Sequence, residues 1–315
     1  MADGTIRVGV VGLGSFGKHH VRHYAANPAA RLVAVVDVDG AQAAQFAAAN
    51  NAAAFVDHHD LIGKVDAVSI AVPASAHYAV ARDLIEAGIH VLIEKPIATD
   101  SAAARELTAA AGRKHVILQV GHVERFSPAV AELRRRVVNP RRISAIRRTR
   151  RSGRSADVDV VLDLMIHDID LILTLAGAPV ASVAASGADA KTGATDEAEA
   201  WLTFGNGLIA TLSASRVAEE NERKLTVTEP DTQFTADLSV PSLTVLSRRR
   251  PGAAAEPVAL TSHDNLGAEI DAFLTCVATG AEPDVDGRAG VAALEIAERI
   301  QAAIADVQPL ARRSL

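Results

Sequence analysis

The sequence predicts an α/β chain whose N-terminal part is a doubly wound parallel sheet and whose C-terminal part is an α+β domain on a largely antiparallel open sheet. Three observations carry this. Up to residue 121, short apolar β-branched runs alternate with helical stretches, as expected of strands buried on both faces. From residue 142 to about 260 the chain is strand-like apart from one strong helix over 160–176, with Phe204-Gly205-Asn206-Gly207-Leu208 as a hairpin turn. Aromatic residues make up only 3% of a chain that is 49% apolar, so Ala, Val, Leu and Ile must fill the cores, which layered α/β folds tolerate. A length of 315 residues favours two domains. We place a parallel-sheet domain at 1–122, a second sheet domain at 123–285, and a C-terminal helix at 286–315 that packs back on the domain junction.

Taken in order, Ile6 to Val11 is the first strand, and Gly12, Gly14 and Gly17 follow it in G-x-G-x-x-G spacing. Gly12 permits the tight turn, Gly14 lets the backbone approach a pyrophosphate, and Gly17 lets the next helix pack close to the sheet, its N–H groups facing the anion. Ser15 and Phe16 belong to this loop, and Ser15 can cap the helix. Arg31 to Asp37 reads as a second strand ending in a carboxylate twenty residues after Gly17, where the adenosine ribose needs an acceptor. A Gly-rich turn with a solvated Asp37 is the bland alternative, but strand, loop, helix and acidic strand end together read as a Rossmann fingerprint. Asp37 favours NAD over NADP, because a 2′-phosphate ~4 Å from a carboxylate is repelled by roughly 1–4 kcal/mol. Asp39 adds to that bias.

Helix 40–50 and a short helical turn over 57–63 lead to a strand that ends at Val72-Pro73. A helix with His77 in its opening runs to Ala87, and the strand from Ile89 to Ile93 delivers Glu94-Lys95-Pro96. Ligands of open parallel sheets bind outside the carboxyl ends of strands, so Val72, Pro73, Glu94, Lys95 and Pro96 face the same crevice as the glycine loop, and His77 is expected with them as a cofactor contact. Lys95 there can hydrogen-bond a substrate hydroxyl and take up a proton, or it can be a plain surface lysine. Helix 101–112 and strand 115–121 complete the domain. Beyond it come a helix over 128–138, a strand over 142–150, the helix over 160–176, the antiparallel strands, and two closing helices at 265–279 and 288–304.

Asp163, His167 and Asp170 are spaced i, i+4, i+7 beside an apolar face of Leu162, Met165, Ile166, Ile169 and Leu173. A histidine between carboxylates can accept a proton from an alcohol, yet the spacing fits an exposed polar face equally well. Ten arginines fall between Arg134 and Arg154, readable as a solvated or subunit-contact face or as holders of a substrate's phosphates. A formal net charge of −6 argues against a general nucleic-acid binder, and no apolar run reaches the ~18 residues of a membrane span. The single cysteine, Cys276, excludes an intramolecular disulfide and a thiolate metal cluster. We therefore expect no metal and a soluble, cytoplasmic protein.

The fingerprint, Glu94-Lys95-Pro96 and the later Asp163-x-x-x-His167 helix together resemble the Gfo/Idh/MocA family of NAD(P)-dependent sugar oxidoreductases. The resemblance implies that Lys95 and His167 flank the reacting hydroxyl, that Asp163 binds substrate, and that the sheet domain makes a homodimer or homotetramer. Within the family, Gly121-His122-Val123-Glu124-Arg125-Phe126-Ser127-Pro128, Asp163 to Asp170 and Ala214-Ser215-Arg216-Val217 are similar to a bacterial group that oxidises the 3-hydroxyl of UDP-N-acetylglucosamine for later amination towards lipid A. This implies Arg125 and Arg216 as further substrate contacts, with a free sugar or inositol as the alternative substrate. A dinucleotide-gated regulatory protein without catalysis is the alternative outside enzymology.

Overall fold

The computed structural model describes residues 5–150, 158–189, 194–250 and 252–312. Contacts divide the chain into two compact units, one of residues 1–123 with 264–291 and one of 124–263 with 292–315. The helix over 265–279 therefore belongs to the first unit, and not to the second domain expected to run to 285. The closing helix starts in the first unit and continues into the second.

In the first unit, β1 (Ile6–Val11), β2 (Ala30–Val36), β3 (Ala53–Phe55), β4 (Ala67–Ile70), β5 (His90–Glu94) and β6 (Leu118–Gly121) form one parallel sheet in the order β3-β2-β1-β4-β5-β6. The order reverses at β1, which puts a crevice at the carboxyl ends of β1 and β4. Helices α1 (Gly17–Ala26), α2 (Gly40–Asn50), α3 (Ala74–Glu86) and α4 (Ser101–Lys114) make the crossovers. β1, β4 and β5 lose nearly all side-chain exposure, which is why they read as unbroken apolar runs rather than alternating ones. The core packs Val8, Val10, Leu32, Val35 and Leu92 with Val21 and Tyr24 of α1 and Ile270, Phe273 and Leu274 of α7 (Asn265–Thr279).

The second unit is built on an eight-stranded sheet. Its strands are β7 (Arg142–Arg148), β8 (Val180–Ala188), β9 (Glu197–Phe204), β10 (Ile209–Ser215), β11 (Glu222–Thr228), β12 (Thr232–Asp237), β13 (Ser242–Ser247) and β14 (Glu256–Pro257). Their order is β14-β13-β12-β11-β7-β10-β9-β8, antiparallel except where β7 and β10 run side by side. β9 shows how the pattern encodes the layer: Ala198, Ala200, Leu202 and Phe204 are buried while Glu197, Glu199, Trp201 and Thr203 are exposed. The hairpin to β10 closes as expected, with Gly207 at φ +82 and its N–H donating to the Phe204 carbonyl. Helices α5 (Pro128–Arg136) and α6 (Ile166–Ala176) pack on this sheet, and α8 (Gly287–Arg312) ends the chain.

Candidate active site

In the first unit the glycine loop is dictated by close approach. Gly12 sits at φ +87, and a Cβ there would lie 2.7 Å from the Ala71 backbone. A Cβ on Gly17 would lie 1.8 Å from the Gly12 carbonyl oxygen, so any side chain at 17 forces the loop off the strand. Gly14, by contrast, has nothing within 4 Å of its missing Cβ, and it is the position where a ligand's backbone contact needs room. Helix α1 starts at Gly17 with Phe16 in the cap position and no side-chain cap. Ser15 thus does not cap it, and a pyrophosphate is the acceptor its first N–H groups suit.

Asp37 closes the other side of this cradle. Its Oδ2 accepts the Leu13 N–H at 2.7 Å and its Oδ1 the Asp39 N–H at 2.9 Å, so the carboxylate is fixed against the loop with lone pairs left for hydroxyls. Asp39 turns away to cap α2 through the N–H groups of Ala41 and Gln42. Open Gly14, the uncapped helix and the tethered carboxylate together fit a dinucleotide.

Two residues expected to face the cofactor are held by protein instead. His77 is buried, with Nδ1 2.7 Å from the Pro96 carbonyl oxygen and Nε2 2.9 Å from that of Val72. Burial holds its pKa below the ordinary value in spite of those two acceptors, and the ring braces the ends of β4 and β5 against each other. Glu94 points into the unit as well, its Oε1 3.0 Å from Nε2 of His20, whose Nδ1 contacts Ser69 Oγ at 3.1 Å. Tyr24 Oη lies 2.8 Å from the same Ser69 Oγ, completing a buried chain beneath the sheet end that carries Lys95. Although burial pushes the Glu94 carboxyl up, the hydrogen bond and charge of His20, with Lys95, carry it below the usual range. Glu269 of α7 is the reverse case: fully buried, with neither carboxyl oxygen hydrogen-bonded among the described residues, it is pushed well above the usual range by burial and by the charge on Glu94. Neither His20 nor Glu269 was singled out from the sequence. His20 was findable, since it lies on the inward face of an amphipathic helix three residues past Gly17.

In the second unit, the helix carrying Asp163 and His167 is not uniform. Val161–Met165 is a π-helical turn, capped by Asp159 through the N–H groups of Val161 and Leu162, and α6 continues from Ile166. The wider turn breaks the expected three-residue stripe: Asp163 and His167 stay half-buried, while Asp168 and Asp170 are buried. Each buried aspartate meets an arginine fork. Arg125 donates from Nε and Nη2 to Asp170 at 2.7 and 2.6 Å, and Arg147 donates to Asp168 at 2.9–3.2 Å and to Glu124 at 2.8 Å. These two bidentate pairs anchor the turn that follows His167.

Arg216 is similarly engaged, with Nε on Asp196 and Nη1 on the Val158 carbonyl, both at 2.7 Å. Arg125 and Arg216, expected to contact substrate, therefore spend these donors on protein. The arginine-rich segment divides likewise: Arg135 and Arg136 pair with Glu132, Arg147 is buried, Arg148 faces Glu222, and Arg151 and Arg154 lie outside the described residues. The signal for Arg147 was present, because alternation from Ile143 and Ala145 puts 147 on the buried face of β7.

The chain matches the model of the Gfo/Idh/MocA oxidoreductase family, NAD-binding Rossmann fold, over residues 6–122, and that of the Gfo/Idh/MocA C-terminal domain over 129–233. UDP-N-acetylglucosamine 3-dehydrogenase of Acidithiobacillus ferrooxidans is 39% identical over 306 residues, spanning 95% of this chain and 97% of that protein. Its structure, GnnA in two crystal forms, superposes with a TM-score of 0.90, covering 95% of this chain and 98% of that one at 38% and 39% identity. YrbE, an uncharacterized oxidoreductase of Bacillus subtilis, is 29% identical over 221 residues, 64% of this chain and 65% of its own. KijD10 of Actinomadura kijaniata, a 3-ketoreductase solved with TDP-benzene and NADP, shares the fold at 20% identity, with a TM-score of 0.85 over 94% of this chain and 97% of that one.

Proposed function

The chain belongs to the Gfo/Idh/MocA oxidoreductase family, and from that premise we propose that it oxidises the 3-hydroxyl of UDP-N-acetylglucosamine, with NAD as hydride acceptor. The observation that carries the substrate is the 39% identity, over nearly the whole of both chains, to a UDP-N-acetylglucosamine 3-dehydrogenase. The glycine cradle and Asp37 support the cofactor. Bound NAD supplies the acceptor for the hydride leaving the carbinol carbon. Lys95 Nζ holds the hydroxyl oxygen, His167 takes the hydroxyl proton as the carbonyl forms, and Asp163 holds the sugar. The arginine forks on Asp168 and Asp170, just past His167, hold the helix that carries the imidazole.

A cytoplasmic location and a ketone product destined for amination towards lipid A belong to the same reading. So does self-association through the outer face of the second unit's sheet, where Trp201 and Ile209 are 44% and 40% exposed on neighbouring strands. Light scattering of wild type and Trp201→Arg reads it directly: an oligomer that the substitution dissociates is expected, and a monomeric wild type refutes it.

Reduced-nicotinamide absorbance with UDP-N-acetylglucosamine, free N-acetylglucosamine, glucose and inositol tests the substrate. Turnover confined to the nucleotide sugar is expected, and turnover of the free sugars alone overturns the assignment. Lys95→Ala and His167→Ala should each lower kcat by about 10²–10⁴ while leaving NAD affinity nearly unchanged. Near-wild-type turnover in both variants refutes the proposed roles.

A further inference from the structure

On the crossover between β3 and β4, a one-turn 3₁₀ helix (His58–Leu61) carries two adjacent histidines whose rings lie 4.1 Å apart, tilted by 33°. The ring of His59 has a carboxylate oxygen close to each nitrogen, and the ring of His58 has Asp83 close to Nε2 and Asp57 further off. Asp57 Oδ1 is 2.7 Å from Nδ1 of His59 and 3.7 Å from Nδ1 of His58, and Asp83 Oδ2 on α3 is 3.3 Å from the Nε2 of each. The other oxygen of Asp83 faces Arg82 at 3.2 Å, so one carboxylate oxygen is left to serve both rings. Asp57 is itself fixed, because its Oδ1 also accepts the His59 N–H at 2.9 Å and caps the turn.

We propose that His58 Nε2, His59 Nε2 and Asp83 Oδ2 form a site for a divalent transition ion of the zinc type, with Asp57 orienting the rings and solvent completing the shell. The two separations from Asp83 Oδ2 fit this chemistry. In a tetrahedral shell with bonds of about 2.0–2.1 Å, neighbouring donor atoms stand ~3.3–3.4 Å apart, which is the distance from Asp83 Oδ2 to each ring nitrogen. Two imidazoles and one carboxylate suit zinc, cobalt or nickel and do not suit the hard cations magnesium and calcium. Metal-ligating histidines typically donate their other ring N–H to a carboxylate, and Asp57 stands on that side of both rings. His59 and Asp57 are more than half exposed and His58 and Asp83 less so, which leaves an entry path. An ion here would tie the 58–61 turn to α3 within the first unit. The sequence led us to expect no metal, and this proposal departs from that expectation because Asp83 on α3 comes beside the histidine pair only in the fold.

The test uses the full-length chain, stripped with a chelator and dialysed, with Zn²⁺ titrated by calorimetry and Co²⁺ by its visible absorption. The expected result is one ion per chain, a Co²⁺ band displaced by Zn²⁺, and a melting temperature that rises with Zn²⁺. The double variant His58→Gln, His59→Gln and the single variant Asp83→Asn should each weaken binding at least about tenfold, with circular dichroism and NAD affinity unchanged. Binding as tight in these variants as in wild type, or no binding by wild type at about 100 μM Zn²⁺ at pH 7.5, overturns the site. Because ion binding is read independently of turnover, failure here leaves the dehydrogenase reading untouched.

Discussion

Glu269→Gln should stabilise the protein at neutral pH, although it removes a charged residue from a fully buried position. The folded chain holds this carboxyl well above the usual range, through burial first and the charge on Glu94 second. The unfolded chain releases the proton near its ordinary pKa of about 4.3. A group that keeps its proton folded and loses it unfolded makes stability fall as pH rises, by ~1.4 kcal/mol per pH unit between the two pKa values. Glutamine removes that term. An acceptor without a hydrogen bond among the described residues, Gln119 Oε1, belongs to a residue whose amide already donates to the Glu269 backbone carbonyl at 3.0 Å. A donor left unmet would take back about 1–3 kcal/mol, so the variant should gain on wild type steadily as pH rises between the two pKa values. The assay is urea unfolding of both proteins at pH 5, 6, 7 and 8. It should be followed by far-ultraviolet circular dichroism, since the single tryptophan, Trp201, reports only on the other unit. The two curves should converge near pH 4–5 and separate with rising pH. A variant less stable than wild type at pH 8, or a difference that does not change with pH, refutes the reasoning.

Arg147→Met should cost about 3–5 kcal/mol, because Asp168 stays buried without its ion-pair partner and Glu124 keeps only Arg223, 3.5 Å away; thermal melts of wild type and variant measure it. If Asp37 sets cofactor choice, NADP should bind more weakly than NAD by roughly 1–4 kcal/mol in titrations of nicotinamide fluorescence, and Asp37→Ala should narrow the gap chiefly by improving NADP. Equal affinities in wild type would show that the carboxylate does not face the 2′ position.

How far the sequence could be read followed from what each signal encodes. The first unit was legible because its strands are buried on both faces and its glycine spacing reports backbone crowding, which sequence records directly: a Cβ on Gly17 would stand 1.8 Å from the Gly12 carbonyl oxygen, so no other residue fits. The direction in which polar side chains point was less legible. Glu94 and Lys95 are adjacent, and sequence treated them as one motif facing one crevice. Yet Glu94 is turned inward to His20, a partner 74 positions earlier that no local pattern could indicate. The partners of His77 were hidden for the same reason, since its ring nitrogens meet two carbonyls of chain ends that only the folded sheet brings together.

The second unit shows what periodicity can hide. A uniform α-helix over 160–176 puts Asp163, His167 and Asp170 on one stripe, and the π-helical turn over Val161–Met165 separates them by adding a residue to the turn. That insertion sorts the acidic residues by environment: Asp168 and Asp170 go to buried arginine forks, while Asp163 and His167 remain half-exposed. A π-turn is less favourable than an α-turn and persists only where neighbours hold it, here the Asp159 cap before it and the two ion pairs after it. The arginines read as phosphate holders thus act one step further back. By fixing the turn from which His167 projects, Arg125 and Arg147 can govern turnover without touching a substrate. Arg125→Lys, which keeps the charge but not the fork, should therefore lower kcat more than it raises KM, whereas the reverse split would return Arg125 to direct substrate binding.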